Sequence, residues 1–296
     1  MNLTPLDRCP LCRGGDIRPF KKGTFDPQTI GAADFRITDS HYGSRWTLFS
    51  CRDCAFVFAN PLPDGEAIAG FYAALDDQEY SQEDEGRGRN FSVILRRLAR
   101  FSPPGSLLLD VGAASGIFLN LARRAGYVVE GIEPSARLVA DAERLYGLTL
   151  FRGSAEQYPA GREFAVITLL DVLEHVTDPN ALLGVLERLL APGGTLVIVT
   201  PDIGSLAARL LGGRWWHYRA AHVNFFNRRS LDRLLSAHGF EVALRRRFAW
   251  NFSAYYLLTR LLPFLKGRAL QRPLKKLHLK LQLFDSWEIY ARKKKK

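Results

Sequence analysis

Long apolar runs are missing from this chain of 296 residues. No stretch reaches the roughly 18 consecutive apolar residues of a membrane-crossing helix, so no transmembrane helix is expected. The first residues, Met1 to Cys12, lack the basic segment followed by an apolar one that marks a secretory signal. The expected compartment is therefore the cytoplasm. Cysteine is scarce, with only Cys9, Cys12, Cys51 and Cys54. Acidic residues are missing from one stretch: Asn251 to Phe284 has seven Lys/Arg and no Asp or Glu. Repeats are absent beyond the two cysteine pairs.

What is present describes a globular protein. Hydrophobic residues make up 47% and charged residues 24%, a balance that buries a real core. The length suits one α/β domain of ordinary size plus a small accessory module. The net charge of +11 is uneven: Val242 to Lys296 carries +13, and the remaining 241 residues carry −2. The terminal run Lys293 to Lys296 reads as a solvated tail.

The four cysteines form two C-x2-C pairs, Cys9-Pro-Leu-Cys12 and Cys51-Arg-Asp-Cys54, with 38 residues between them. Four thiolates so spaced suit a structural Zn²⁺, closed to further ligands. A disulfide framework is the alternative, and a reducing cytoplasm disfavours it. The turn-rich residues between the pairs cannot bury a sizeable core unaided. Asn60-Pro-Leu-Pro-Asp64 then breaks the chain, and helices are expected over Glu66 to Ala74 and Phe91 to Phe101.

From Ser106 onward short strands alternate with helices. Strands are expected at Leu107–Val111, Tyr127–Ile132, Thr149–Arg152, Phe164–Leu170 and Thr195–Thr200. Helices are expected at Ile117–Ala125, Ala136–Tyr146 and from Asp178-Pro179 to about Leu190. Residues 203–227 read as aromatic and irregular. A helix is expected over Arg228 to His238, and strands over Phe240 to Trp250 and Trp287 to Ala291. This alternation predicts an α/β fold with a parallel, doubly wound sheet.

Four motifs fall in order at successive strand ends, where such sheets bind ligands. Leu108-Leu-Asp-Val-Gly-Ala-Ala-Ser-Gly-Ile-Phe118 joins a strand to a helix through a small-residue loop. Gly112 and Gly116 let a ligand lie against bare backbone, and the helix start offers free N–H groups. Asp110 would repel a pyrophosphate but suits a cationic amino-acid ligand. Glu133 follows Gly112 by 21 residues and can accept hydrogen bonds from both ribose hydroxyls of an adenosine. Gly153-Ser-Ala-Glu156 can face an adenine edge, and Leu170-Asp-Val-Leu-Glu-His-Val176 ends the fourth strand.

Residues 106–202 resemble the core of class I S-adenosylmethionine-dependent methyltransferases. The resemblance implies a Rossmann-like seven-stranded sheet and S-adenosyl-L-methionine as cofactor. It places Asp110, Gly112, Ala114 and Gly116 around the methionine part and Glu133 at the ribose. Ser154 and Ala155 would flank the adenine, and Asp171 would line the methionine end. Ala114 stands where glycine is commoner, and Ser154 where many members have aspartate. The cysteine pairs resemble the N-terminal zinc knuckles of certain bacterial sugar and small-molecule methyltransferases. The organisation expected is a zinc-knuckle module over 1–62, a helical linker over 63–105 and a methyltransferase core over 106–250. A basic amphipathic insert over 251–284 follows, then a last strand and basic tail over 285–296.

The acceptor side is less determined. Trp215-Trp-His-Tyr-Arg219 to His222-Val-Asn-Phe-Phe226 resembles the stretch that carries a catalytic histidine in sugar methyltransferases. His222 falls on that histidine, but Ala221 stands where those enzymes have glutamate. His222 and then His175 are the candidate bases, since a histidine accepts a proton at neutral pH. Trp215, Trp216 and Tyr218 suit a lid, a sugar platform or core packing. The insert, with Leu261, Leu262, Phe264 and Leu265 around Pro263, suits an anionic membrane surface, a packed subdomain or nucleic acid. In the insert, Leu274, Leu277, Leu281 and Phe284 fit a helix, and Leu277, Leu279, Leu281 and Leu283 fit a strand equally well.

The function expected is methyl transfer, chiefly O-methylation, to a small-molecule, sugar, glycan or lipid-linked acceptor. A zinc-assisted RNA-binding methyltransferase is the first alternative. It is disfavoured because Asp171-Val-Leu-Glu174 replaces the Asn/Asp-Pro-Pro-aromatic motif of many base N-methylating enzymes. A non-catalytic cofactor-binding scaffold is the second. The sequence does not set the oligomeric state.

Overall fold

The computed structural model describes residues 1–36, 42–75, 84–159, 161–261 and 274–294. Leu262, Pro263, Phe264 and Leu265 of the insert, and the last two lysines of the tail, lie outside the described residues.

The first segment contains β1 (Leu3–Thr4), β2 (Ile17–Lys21), β3 (Leu48–Cys51), β4 (Val57–Ala59) and β5 (Leu62–Pro63). Two helices follow, α1 (Gly65–Ala73) and α2 (Asp84–Leu98). The alternating region holds β6 (Leu107–Val111), α3 (Ile117–Arg124), β7 (Val128–Glu133), α4 (Ala136–Tyr146), β8 (Phe151–Arg152), β9 (Phe164–Leu170), α5 (Pro179–Leu189) and β10 (Leu190–Pro201). Next come α6 (Leu206–Leu211), β11 (Asn224–Phe225), α7 (Arg228–Ala237) and β12 (Phe240–Arg247). The chain closes with β13 (Trp250–Ser253), α8 (Ala254–Leu261), β14 (His278–Leu281) and β15 (Ser286–Lys293).

The helices begin where local chemistry predicts. The Ser135 hydroxyl accepts from the Leu138 N–H, and Asp178 accepts from the Ala181 N–H ahead of Pro179. Each satisfies an N–H that the first turn leaves free. Gly147 ends α4 in the left-handed conformation at φ 60°. The strands β6 and β9 are apolar apart from Asp110 and Thr168 because both faces of the sheet are covered.

Seven strands form the central sheet in the order β12-β15-β10-β9-β6-β7-β8. The order reverses between β6 and β9, which lie side by side in parallel in the middle of the sheet. Their carboxyl ends open on the crevice where such sheets take ligands. Strand β15 runs antiparallel to both neighbours, β10 and β12.

Three local expectations change. The strand expected over Phe240 to Trp250 is two: β12 ends at Arg247, and Trp250 turns into β13, which pairs with β14. Residues 203–227 contain α6 and β11 besides their loops. The strand expected at Thr195–Thr200 starts earlier, at Leu190, with a register irregularity against β9 between Leu190 and Thr195.

The N-terminal strands do not stand alone. Their four-stranded sheet has the order β11-β4-β3-β2, so its edge strand comes from residues 224–225. Cys9, Cys51 and Cys54 pack in one core with Leu182, Leu231 and Leu234 of α5 and α7. The region borrows the apolar cover it cannot supply itself.

In the insert, strand pairing prevails over the helical spacing for His278–Leu281. Its first residues are tied to α2: the Asn251 N–H donates to Asn90 Oδ1 at 2.7 Å. Leu277, Leu279 and Phe284 are left exposed. Part of the basic charge serves the fold, since Arg247 pairs with Asp202 and Arg245 with Asp232. No helix among the described residues is long and apolar enough to cross a membrane.

Candidate active site

The loop between β6 and α3 is built for close approach. Gly112 has φ 77°, and a Cβ there would lie 2.6 Å from Val172 Cγ2. Gly116 has φ 79°, and its Cβ would lie 2.9 Å from Leu148 Cδ1. Both positions exclude side chains by conformation and by space. Ala114 also has a positive φ, 47°, so the alanine adopts the backbone that glycine would take freely.

Two buried carboxylates flank this loop. Asp110 accepts from the Thr168 hydroxyl of the neighbouring strand. Glu133 accepts from the Ala114 N–H with Oε2 and from the Ser135 N–H with Oε1, both at 2.9 Å. The ribose candidate is thus docked onto the glycine loop itself. Each oxygen keeps a second lone pair for a ligand hydroxyl. Burial pushes Asp110 up to about 7, against the Thr168 bond that lowers it. Burial likewise pushes Glu133 up to about 7, against the bonds from Ser135 and Ala114. A buried hydroxyl, Ser115 Oγ, lies in the same loop with no hydrogen-bond partner among the described residues. Two charge-hungry carboxylates, an orphaned hydroxyl and a bare-backbone cradle fit an adenosine carrying a cationic amino acid.

The other cofactor candidates take their places at the ends of neighbouring strands. Asp171 follows β9 with φ 55° and is exposed. Ser154 precedes a 3-10 turn over Ala155–Gln157, its N–H donating to Gln157 Oε1 at 2.9 Å. Ala155 is buried beneath it.

The four cysteines come together from both ends of the N-terminal segment. One sulfur from each lies within 4.8 Å of the others. Cys9 and Cys54 Sγ are 3.7 Å apart, and Cys12 and Cys51 Sγ 3.5 Å. A tetrahedral ion with sulfur arms of about 2.3 Å has edges of about 3.8 Å. No disulfide joins them. The two knuckles share one backbone design. Cys9 N–H donates to Gly14 O and Arg13 N–H to Cys9 O; Cys51 N–H donates to Phe56 O and Ala55 N–H to Cys51 O. Arg13 and Ala55 both have a positive φ. A hydrogen bond from Cys54 pulls the Cys9 thiol down to about 5.

The acceptor side is assembled from distant segments. Trp46 Nε1–H donates to Ala220 O at 2.7 Å, and the Ala59 N–H to Val223 O at 2.8 Å. The N-terminal sheet thereby holds residues 215–226. Trp215 and Tyr218 are 0% and 1% exposed, so they are core rather than a lid or a sugar platform. Only Trp216 is partly accessible. His175 and His222 meet edge to face at 4.6 Å between ring centroids. His175 Nδ1 lies 3.0 Å from Ala221 O and 2.5 Å from the Tyr72 hydroxyl.

Both rings are weak bases. Burial holds His175 down at about 4, with Arg219 adding to it, against the Ala221 bond that raises it. Burial, then the neighbouring His175, His217 and Arg219, hold His222 well below the ordinary histidine value. Both are neutral at pH 7 and can accept a proton, but with little driving force.

Sequence reasoning missed four groups here. Glu174 is buried beside His222, and burial, then Asp171, push it well above the ordinary range. It lay within a motif already singled out, where only Asp171 and His175 received roles. Tyr72 comes from α1. Asp285 and His217 approach at 3.3 Å, with the Trp215 indole N–H donating to the same carboxylate. Burial raises Asp285, but the His217 and Trp215 contacts outweigh it and hold the carboxyl low. Residues 217 and 285 share no local sequence signal.

Comparison with known proteins agrees with this geometry. A family described as a methyltransferase domain matches residues 84–244. Among curated relatives, the ubiquinone biosynthesis O-methyltransferase of Cereibacter sphaeroides is 31% identical over 163 residues, 50% of this chain and 65% of that protein. The enzyme of the same description from Xanthomonas campestris pv. campestris is 34% identical over 140 residues, 41% of this chain and 58% of the relative. The chain thus spans less than two thirds of the length of these relatives. Among solved structures, a chain of the complex between the Trm112 methyltransferase activator of Haloferax volcanii and a methyltransferase superposes with a TM-score of 0.53 at 16% identity, over 72% of this chain and 93% of that one. Magnesium protoporphyrin IX methyltransferase of Synechocystis PCC 6803, with bound SAH, gives 0.51 at 17% identity, over 76% and 93%. These two share the fold. With more than half its length matched by that one domain, the chain belongs to the methyltransferase-domain family.

Proposed function

We propose that this protein transfers the methyl group of S-adenosyl-L-methionine to a hydroxyl oxygen of a small-molecule acceptor. The observation that carries the reading is the pair Asp110 and Glu133, two buried carboxylates set against a glycine loop at adjacent strand ends. Asp110 would face the cofactor's ammonium group, Glu133 its ribose, and Asp171 its methionine end. Ser154 and Ala155 would border the adenine. The cofactor supplies an electrophilic methyl on sulfur. The chain's task is to align the hydroxyl with it, exclude water and remove one proton. His222, with His175 second, is the proton acceptor in this reading. Relatives described as O-methyltransferases support oxygen as the receiving atom.

Cys9, Cys12, Cys51 and Cys54 would hold one structural Zn²⁺, whose place is to fix the knuckles that support the acceptor side. The basic insert would carry the protein to an anionic membrane surface and so to a lipid-linked or glycan acceptor. Exposed Leu277, Leu279 and Phe284 beside Lys275, Lys276 and Lys280 support that placement.

Calorimetric titration with S-adenosylmethionine tests the cofactor reading. Glu133→Ala weakens binding by roughly 1.5–3 kcal/mol, the scale of hydrogen bonds to a charged group. Unchanged affinity removes Glu133 from the site. Co-sedimentation tests the membrane placement: binding to anionic vesicles at low salt is expected, and its absence defeats the idea.

A further inference from the structure

Glu174, His175 and His222 each have one side-chain atom committed and one left over. Glu174 Oε2 accepts from the Thr200 hydroxyl at 2.9 Å, while Oε1 has no partner among the described residues. The His222 ring bonds the His217 backbone, and its Nδ1 has no partner. His175 Nδ1 faces both the Ala221 carbonyl at 3.0 Å and the Tyr72 hydroxyl at 2.5 Å, which leaves Nε2. One ligand atom from each of the three lies within 4.8 Å of the others. Glu174 and His222 are 1% and 5% exposed, so water does not solvate these atoms freely. Leaving a buried acceptor unpaired costs about 1–3 kcal/mol, and more for a charge. Concentrating such atoms at one point is therefore unfavourable unless something fills it.

Two imidazoles whose outer nitrogens are bonded to backbone carbonyls, with a carboxylate fixed by a hydroxyl, form the usual outer arrangement of metal ligands. With His175 Nδ1–H donating to Ala221 O and the His222 ring donating to the His217 backbone, the other nitrogen of each ring carries the lone pair. Three protein ligands leave positions open, as in catalytic rather than structural sites. We propose that Glu174, His175 and His222 bind a divalent transition-metal ion, a site separate from the four cysteines. Donors around such an ion at about 2.1 Å would be about 3.0–3.4 Å apart, so side-chain rotations of about 1 Å close the cluster. Arg219 acts on both rings and opposes a cation, whereas Asp171 acts on Glu174 and favours one.

This deepens the O-methyl reading and rests on it only for the use of the metal. With their lone pairs on the ion neither ring would serve as the base; the ion would make an acceptor hydroxyl more acidic, and its proton would leave to solvent water. The ion itself is detectable without an acceptor, so failure of either reading is distinguishable.

The test uses the full chain with its cysteine site saturated by Zn²⁺, titrated with Mn²⁺, an ion that prefers nitrogen and oxygen to thiolate. One equivalent of Mn²⁺ is expected by electron paramagnetic resonance, with selective broadening of the His175 and His222 imidazole signals in the NMR spectrum. Glu174→Gln keeps the shape of the side chain and should weaken Mn²⁺ binding by about tenfold or more. The proposal is overturned if the wild type binds no Mn²⁺, or if these two histidines are not broadened. It is equally overturned if a folded Glu174→Gln binds as the wild type does. The wild-type NMR measurement decides the matter even where the variant does not fold.

Discussion

The cofactor crevice and the acceptor side lie next to each other and are made in opposite ways. The crevice uses the ends of neighbouring strands: across the sheet, Asp171 follows β9, Asp110 and Gly112 lie at the end of β6, and Glu133 ends β7. The acceptor side gathers Tyr72, Glu174, His175, His217, His222 and Asp285, and the N-terminal sheet props it from outside. A site written in local turns tolerates change elsewhere in the molecule. A site gathered from distant segments depends on every one of them.

Loss of the cysteine cluster should divide the two regions most sharply. Cys51→Ser, or treatment with a chelator, would remove the proposed zinc ion, which in small peptides contributes on the order of 10 kcal/mol. A large fall in melting temperature is expected, with residues 215–226 losing amide protection before β6 and β7 do. Protein that melts unchanged without metal would contradict the zinc reading and the propping role together.

Trp46→Ala cuts the same support at a single buried side chain, 2% exposed, and deletes its bond to Ala220. A loss of about 3–5 kcal/mol is expected, as for other large buried aromatics. Affinity for S-adenosylmethionine, measured on the folded fraction, should stay within about twofold. A parallel loss of cofactor binding would show the two regions to be one cooperative unit.

Gly112→Ala probes the other side. Its Cβ would meet Val172, and its left-handed backbone costs a side chain about 1–2 kcal/mol. Thermal and calorimetric measurements should show weaker cofactor binding with little change in amide exchange at residues 215–226. Equal disturbance of both regions would break the contrast.

The smallest expected effect is electrostatic. Asp110 and Glu133 titrate near 7 in the cofactor-free fold, above their ordinary values of 3.8 and 4.5. A raised carboxyl pKa contributes stability below the ordinary value and loses it as pH climbs through the folded one. The free protein should therefore lose stability between about pH 4 and pH 7, by about 1.4 kcal/mol per unit per group at most. Saturating S-adenosylmethionine should flatten that slope by supplying partners for the charged forms. Parallel curves for free and loaded protein would place these carboxylates away from the cofactor.

The contrast also explains what could be read from the chain in advance. Much of the seven-stranded sheet was legible because β6, β7, β8 and β10 end at a glycine or proline, and α4, α5 and α7 carry side-chain caps. The crevice was legible because its residues sit at fixed offsets from those stops. Trp215 and Tyr218 were ambiguous because an aromatic cluster looks alike whether buried or exposed, and only the fold covers it. The role of Glu174 was hidden because burial and a missing partner, not spacing, set it apart. The division of Phe240–Trp250 into β12 and β13 was missed because residues 278–281, far along the chain, supply the pairing partner.

The strand Asn224–Phe225, completing the sheet begun by Val57–Ala59, has a consequence for synthesis. Phe58 pairs with Asn224, 166 positions later. The cysteine-bearing segment is translated well before its edge strand, which is still unmade while most of the Rossmann-like sheet is being translated. Closing so long a loop is entropically slow, and the segment gains its cover only when the late strand arrives. The four thiols therefore stay uncovered until that strand is made. Any metal they hold should be captured only after residues 224–225 have been translated.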